Sequence, residues 1–398
     1  MKRFLLITLT SLVALAGCHS FKKDNVQPPT PLDKDFKPTV QVTKVWSTSV
    51  GKGAGTSGVR LRPSVEAGVL YADSTDGDLV AIDAASGKKL WTKNSRVHGW
   101  FGWGDKKRKD ALYAGGPTVD GDLLAVGTLD GHVYGINSKD GSPRWEAQLN
   151  SEVLASPAIA GDLVVVRTED GRLYGLDRAT GKRTWVYDQG SVPLLSLRGN
   201  GAPLVANGVV FYGSDDGKMI ALRQDNGAKL WEQRLGSGVG RTEIDRLDDA
   251  DGSILLDGTT LYGAAYHGNL VAVDGPSGRP LWAHPLSTFD SLAANDSAIF
   301  GIDDDSQVLA FDKSSGANIW KSEALKYRWL TGPAVQGTYA VVGDVEGYVH
   351  WLQIGDGALA ARERLSKKAI RAQPLVVGDI VYVEDVKGHI GAYRFSAH

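Results

Sequence analysis

A unit that returns about every 45 residues governs what this chain can fold into. Each copy has a short apolar segment, often after proline, then a glycine and an alternating apolar stretch. An acidic-glycine turn and a second alternating stretch follow, and the copy closes on Asp-x-x-Ser/Thr/Asp-Gly with tryptophan four residues later. The first full copy runs from Pro63 through Asp76-Gly77 and Asp83 to Trp91. The closing positions are Trp46, Trp91, Trp145, Trp185, Trp231, Trp282, Trp320 and Ala361, with a mean spacing of 45 residues. That length suits one four-stranded propeller blade. The inner turns are Asp76-Gly77, Asp130-Gly131, Asp170-Gly171, Asp216-Gly217 and Glu346-Gly347, with His267-Gly268, Asp305-Ser306 and Lys387-Gly388 as variants. Asp-Gly accepts the positive φ of a tight turn, and alternation buries one face of each flanking strand, so each turn predicts a β-hairpin. The last unit, Pro374 to Phe395, lacks its fourth strand, and the orphan strand Val42 to Trp46 supplies it. The expectation is an all-β chain: an eight-bladed β-propeller of four-stranded antiparallel blades over 41–398, its ring closed by pairing the N-terminal strand with the last blade. The tryptophans are then blade-to-blade anchors, and Asp83, Asp177 and Asp274 close turns as short acceptors for backbone N–H groups.

Forty-four basic against forty-six acidic side chains, interspersed, leave a net charge of -2 and no basic face for a nucleic acid. Ahead of the repeats, Lys2 and Arg3 precede an apolar run from Phe4 to Gly17, too short for a comfortable membrane span and suited to an export signal over 1–17. Its end, Leu15-Ala16-Gly17-Cys18, resembles the bacterial lipoprotein signal, which implies lipidation of Cys18, the only cysteine. A lone cysteine forms no internal disulfide, and the resemblance gives it a use. His19 follows where aspartate would favour the inner membrane, so the resemblance implies the periplasmic face of the outer membrane. Residues 18–40 are polar and carry Pro28, Pro29, Pro31 and Pro38, which reads as a flexible tether. Some twenty such residues span on the order of 25 Å as a coil.

Signals for chemistry are sparse. His98, His132, His267, His284, His350 and His389 are scattered over different units without metal-ligand spacing, and most read as surface residues. No nucleophile elbow or phosphate loop is present, and the glycines lie in strand-turn-strand contexts. The repeat resembles that of quinoprotein alcohol dehydrogenases, which implies pyrroloquinoline quinone and calcium at the propeller axis. Many of those enzymes stack the quinone on a disulfide of adjacent cysteines, which a chain with Cys18 alone cannot make. No enzyme activity, cofactor or metal is therefore expected, with a quinoprotein dehydrogenase and a periplasmic glycan-binding sensor as the alternatives.

Two connections exceed what the repeat needs: Gly190 to Ala202 and Gly240 to Gly252. Both lead from an outer strand to the next inner strand, so they should lie side by side on one face. Their segments Leu195-Ser-Leu-Arg-Gly199 and Thr242-Glu-Ile-Asp-Arg-Leu-Asp-Asp-Ala-Asp251 resemble the two signature segments of the BamB family of outer-membrane β-barrel assembly lipoproteins. Gly347-Tyr-Val-His-Trp351 and the tryptophan-less seventh unit fit the same family. The resemblance covers essentially the full chain. It implies a non-catalytic scaffold that binds the periplasmic domains of BamA, with Leu195, Leu197, Arg198, Asp249 and Asp251 as contacts. Unfolded outer-membrane proteins are a further partner class. Leu195 and Leu197 lie two apart, so an extended segment places them on one side with Arg198 beside them, a composition suited to an interface core; the alternative is burial of both leucines under the loop. Asp249 and Asp251 either meet the partner or hold Arg198 or Arg246 by charge-assisted hydrogen bonds. The insertion from Val97 to Lys109 joins aromatics to a basic run and receives no site role.

Overall fold

Each acidic-glycine turn does close a hairpin, and the hairpins assemble into eight separate four-stranded sheets. The computed structural model describes residues 27–95, 112–190, 193, 196–197, 201–236 and 248–396. Blades 1 to 7 span 64–94, 118–148, 158–188, 204–234, 255–285, 293–322 and 334–364, each a simple antiparallel meander from inner to outer strand. Blade 8 takes three strands from 375–396 and its outer strand from Gln41–Ser49, paired from Gln41 opposite Ser396 to Ser49 opposite His389. The ring thus closes between the chain's two ends. Glycine takes positive φ in most inner turns; in the His267-Gly268 turn His267 takes it instead, at φ 51°, and in the glycine-free Asp305-Ser306 turn Ser306 does, at 64°.

Burial differs from simple alternation. The second and third strands of a blade are buried on both faces, as in Leu79-Val-Ala-Ile82, because blades stack face to face and each sheet is covered by two neighbours. One interface joins Val165, Leu173 and Trp185 of blade 3 to Val210, Tyr212, Ile220 and Leu222 of blade 4. The outer strands keep a solvent side, and the short inner strands are half-buried.

The tryptophans couple these sheets through a specific contact. The indole Nε1 of Trp145 donates to the carbonyl of Arg178 in the third-to-fourth-strand turn of blade 3, at 2.8 Å. Trp46, Trp91, Trp185, Trp231, Trp282 and Trp320 each donate in the same way to the corresponding turn of the following blade. The turn glycine lies on the ring: a Cβ on Gly181 would come within 2.5 Å of Trp145. Asp83 shapes its turn by accepting the Ser86 amide at 2.8 Å and hydroxyl at 2.5 Å, which hold its carboxyl below the usual range. Blade 8 has no such turn, since its third and fourth strands come from opposite chain ends. A tryptophan at 361 would have nothing to dock on. Ala361 stands there, and Trp351, directly across the sheet, fills the space and donates to Gln336 Oε1 at 2.7 Å.

Two local expectations meet a different arrangement. Residues 30–39, read as tether, lie along blades 6 and 7: Thr30 donates to the Lys326 carbonyl at 3.1 Å and Thr39 to that of Ala360 at 2.8 Å. Phe36 sits under the Arg362 guanidinium at 5.3 Å. His350, one of the histidines grouped as mostly surface residues, is fully buried and bonded to Asp344 at 2.9 Å. Cys18 and the insertion 97–109 lie outside the described residues.

Candidate functional site: the face of the long connections

The described ends of the two long connections, each leading from an outer strand to the next inner strand, meet as neighbours. Gly201 in the first lies against the backbone of the second: a Cβ would fall 2.6 Å from the Asp251 carbonyl. Ala202 donates its N–H to the Ser253 hydroxyl at 3.2 Å. Glycine at 201 is therefore what lets the two chains touch.

Further out, the Asp249 carboxylate accepts the backbone N–H of Leu197 and the hydroxyl of Ser196. Asp249 is 0% exposed and Asp251 5%. Its own backbone is fixed in turn, since Tyr266 donates to the Asp249 carbonyl at 2.9 Å and Ala250 donates to that of Ser214 at 3.1 Å. Leu197, by contrast, is 41% exposed and lines a hollow of about 400 Å³ with Val59, Leu129 and Leu154. A buried acid thus holds the backbone while the attached leucine faces out. Leu195 and Arg198 lie outside the described residues.

The acids beneath the face form a cluster around one cation. Arg167, at the end of the second strand of blade 3, is buried and paired with Asp215. Burial works against its charge, but Asp215 and Asp251 outweigh that and keep it protonated. Burial pushes the Asp251 carboxyl up to about 8, against the pull of Arg167, with Asp249 and Asp215 adding to the rise. Asp249 is pushed up to about 6 by burial, opposed by its bonds to Leu197 and Ser196. Burial thus keeps protons on Asp251 and Asp249 that isolated aspartates would release.

This geometry supports positioning, with no nucleophile beside a base. Among the described residues no three histidine, cysteine, aspartate or glutamate side chains converge to hold a metal ion. Of the two roles open for Asp249 and Asp251, burial favours ordering the loop over touching a partner. Arg167, Asp215 and Ser196 escaped the sequence reading. No spacing marks them, because they come from blade 3, blade 4 and the connection between, and only the stacking of those two blades brings them together.

Comparison with known proteins agrees over the whole ring. The family profile described as outer membrane protein assembly factor BamB matches residues 41–101, 94–322 and 315–398. A relative from Xanthomonas campestris pv. campestris, named outer membrane protein assembly factor BamB, is 44% identical over 99% of this chain and 98% of its own. The crystal structure of BamB from Moraxella catarrhalis superimposes with a TM-score of 0.79 at 30% identity, covering 89% of this chain and 100% of that one. A quinohemoprotein alcohol dehydrogenase from Comamonas testosteroni shares the fold alone, with a TM-score of 0.69 at 14% identity over 89% of this chain and 76% of that one.

Proposed function

Because the chain belongs to the BamB family of outer membrane protein assembly factors, we propose that it is a scaffold without turnover, tethered to the outer membrane through lipid on Cys18 and docked on the periplasmic domains of BamA. The observation that carries this reading is the exposed Leu197 on a backbone fixed by a buried carboxylate. An apolar side chain held still in solvent has already met the ordering cost of binding, the usual economy of a hot spot. Leu195 and Arg198 extend the same contact in the segment resembling the family signature. Asp249 and Asp251 act behind it as positioning residues. Rigidity of the ring suits the role: every blade is locked to the next, so a partner on one face is held in fixed relation to the rest. Nascent outer-membrane proteins are the cargo that such an arrangement would serve.

Affinity of the chain from His19 onward for the periplasmic domains of BamA tests the proposal, with wild type compared against the triple variant Leu195→Ala/Leu197→Ala/Arg198→Ala. Binding by wild type and loss in a variant of unchanged melting temperature is the expected result. Equal binding by both would move the interface elsewhere, and no binding by wild type would end the reading.

A further inference from the structure

The propeller axis holds a channel of about 470 Å³, lined by the first strands of blades 1 to 4 and 8 and the connections that lead into them. Val65, Ile159 and Leu375 give it apolar walls. Two arginines from the connection before blade 1 reach it, and they are treated differently. Arg60 extends to the connection before blade 6, three blades round the ring, and pairs with Asp290 at 2.5 Å while its guanidinium covers the Phe289 ring at 5.2 Å. Arg62 has no such partner. Its Nε is buried without a hydrogen bond, and no hydrogen bond or ion pair joins its guanidinium to any described residue. Burial, uncompensated by any carboxylate, lowers its pKa.

Ser64 repeats the pattern two residues on, its hydroxyl buried and without a partner. In an extended segment, residues two apart project to the same side, so Arg62 and Ser64 both face the channel across Pro63. Buried polar groups in folded proteins are almost always satisfied, and a buried cation is paired. Here the Arg62 Nε and the Ser64 hydroxyl, both able to donate, sit without partners beside a channel of mixed polar and apolar walls.

We propose that the axial channel binds a small organic carboxylate, with Arg62 and Ser64 as its donors and the apolar walls taking its hydrocarbon part. A planar two-oxygen anion matches the fork of a single guanidinium. The charge suits a monoanion, because Arg60 is already matched by Asp290 and Arg62 alone offers an unpaired positive charge to the channel. The site does not use Leu197, although Leu154 lines both places and Asp251 belongs to the acid cluster behind that contact.

Titration calorimetry on the chain from His19 onward, with butyrate, benzoate and inorganic phosphate at matched ionic strength in chloride, tests the assignment. Saturable binding of butyrate and benzoate is expected, weakened at least tenfold in Arg62→Met and less in Ser64→Ala. Without ligand, Arg62→Met should melt at or above the wild-type temperature, since it removes an unpaired buried charge, and this also reports that the variant folds. Phosphate binding tighter than both carboxylates would overturn the ligand class. Absence of saturable binding, or equal binding by Arg62→Met, would overturn the site.

Discussion

The Asp249 carboxylate accepts the backbone N–H of Leu197, fifty-two residues earlier, so one long connection fixes the conformation of the other. This bond separates two effects that a simple interface would merge. Leu197→Ala removes the displayed side chain and leaves its support, so BamA affinity should fall about tenfold or more, on the order of 1–2 kcal/mol, with no change in melting temperature. Asp249→Ala removes the support and leaves the Leu197 N–H and the Ser196 hydroxyl without their charged acceptor, which costs about 1–3 kcal/mol of stability as well as affinity. Calorimetric melting alongside binding measurements distinguishes the two, and a stability loss in Leu197→Ala would contradict the division.

The acid cluster makes the second prediction one of pH. Burial holds Asp251 up at about 8 and Asp249 at about 6, both above the roughly 3.9 of an unfolded aspartate. The folded chain therefore keeps protons that the unfolded chain has released. Stability from these groups is fully present below about pH 4 and is lost as pH rises through their folded values. Asp251→Asn removes the larger of the two slopes while keeping the shape. Its melting temperature relative to wild type should rise between about pH 5 and about pH 9, and a constant difference would count against the protonated state.

Arg328 carries the third. It is 1% exposed and bonded to Asp344 at 2.7 Å, to Glu346 and to the Thr30 carbonyl at 2.7 Å. Tyr327 and Trp329 on either side take positive φ, at 60° and 51°, a strain that persists only where surroundings enforce it. Arg328→Met would leave Asp344 short of a partner and free both the strained turn and the N-terminal segment. A loss of about 3–5 kcal/mol follows, with faster proteolysis within residues 27–39. Proteolysis unchanged from wild type would mean that the segment is held by its other contacts, Thr39 and Phe36.

What the sequence disclosed and what it hid divide along one physical line. Strands, turns, blade number and ring closure were legible because each is written locally, in alternation, in Asp-Gly and in the spacing of tryptophans. The adjacency of the two long connections was also legible, since chain direction in a meander determines which face a connection crosses. The burial of Asp249 and Asp251 was not, because it depends on Tyr266, Ser214 and Arg167 arriving from three other blades or turns. The docking of residues 30–39 was hidden for the same reason: polar, proline-bearing chain looks like tether until Lys326, Ala360 and Arg362 supply partners.

Ala361 offers a test of how the repeat works. Judged by the repeat alone, Ala361→Trp restores a missing anchor and should stabilise. The structure predicts the reverse. The anchor acts by docking on the third-to-fourth-strand turn of the next blade, and blade 8 has none. Its place is taken by Trp351, 0% exposed, opposite Ala361 in register and 5.9 Å from the Tyr393 ring. A second indole there overpacks the sheet at a cost of about 1–3 kcal/mol. Trp351→Ala alone costs about 3–5 kcal/mol through the cavity it leaves. The double variant should recover at least ~1 kcal/mol relative to Trp351→Ala, since the new indole enters the space the old one left. Denaturation midpoints of the three variants decide it: a stabilised Ala361→Trp would show that tryptophan serves the blade itself, and a double variant no better than Trp351→Ala would show that the two sites do not share one space.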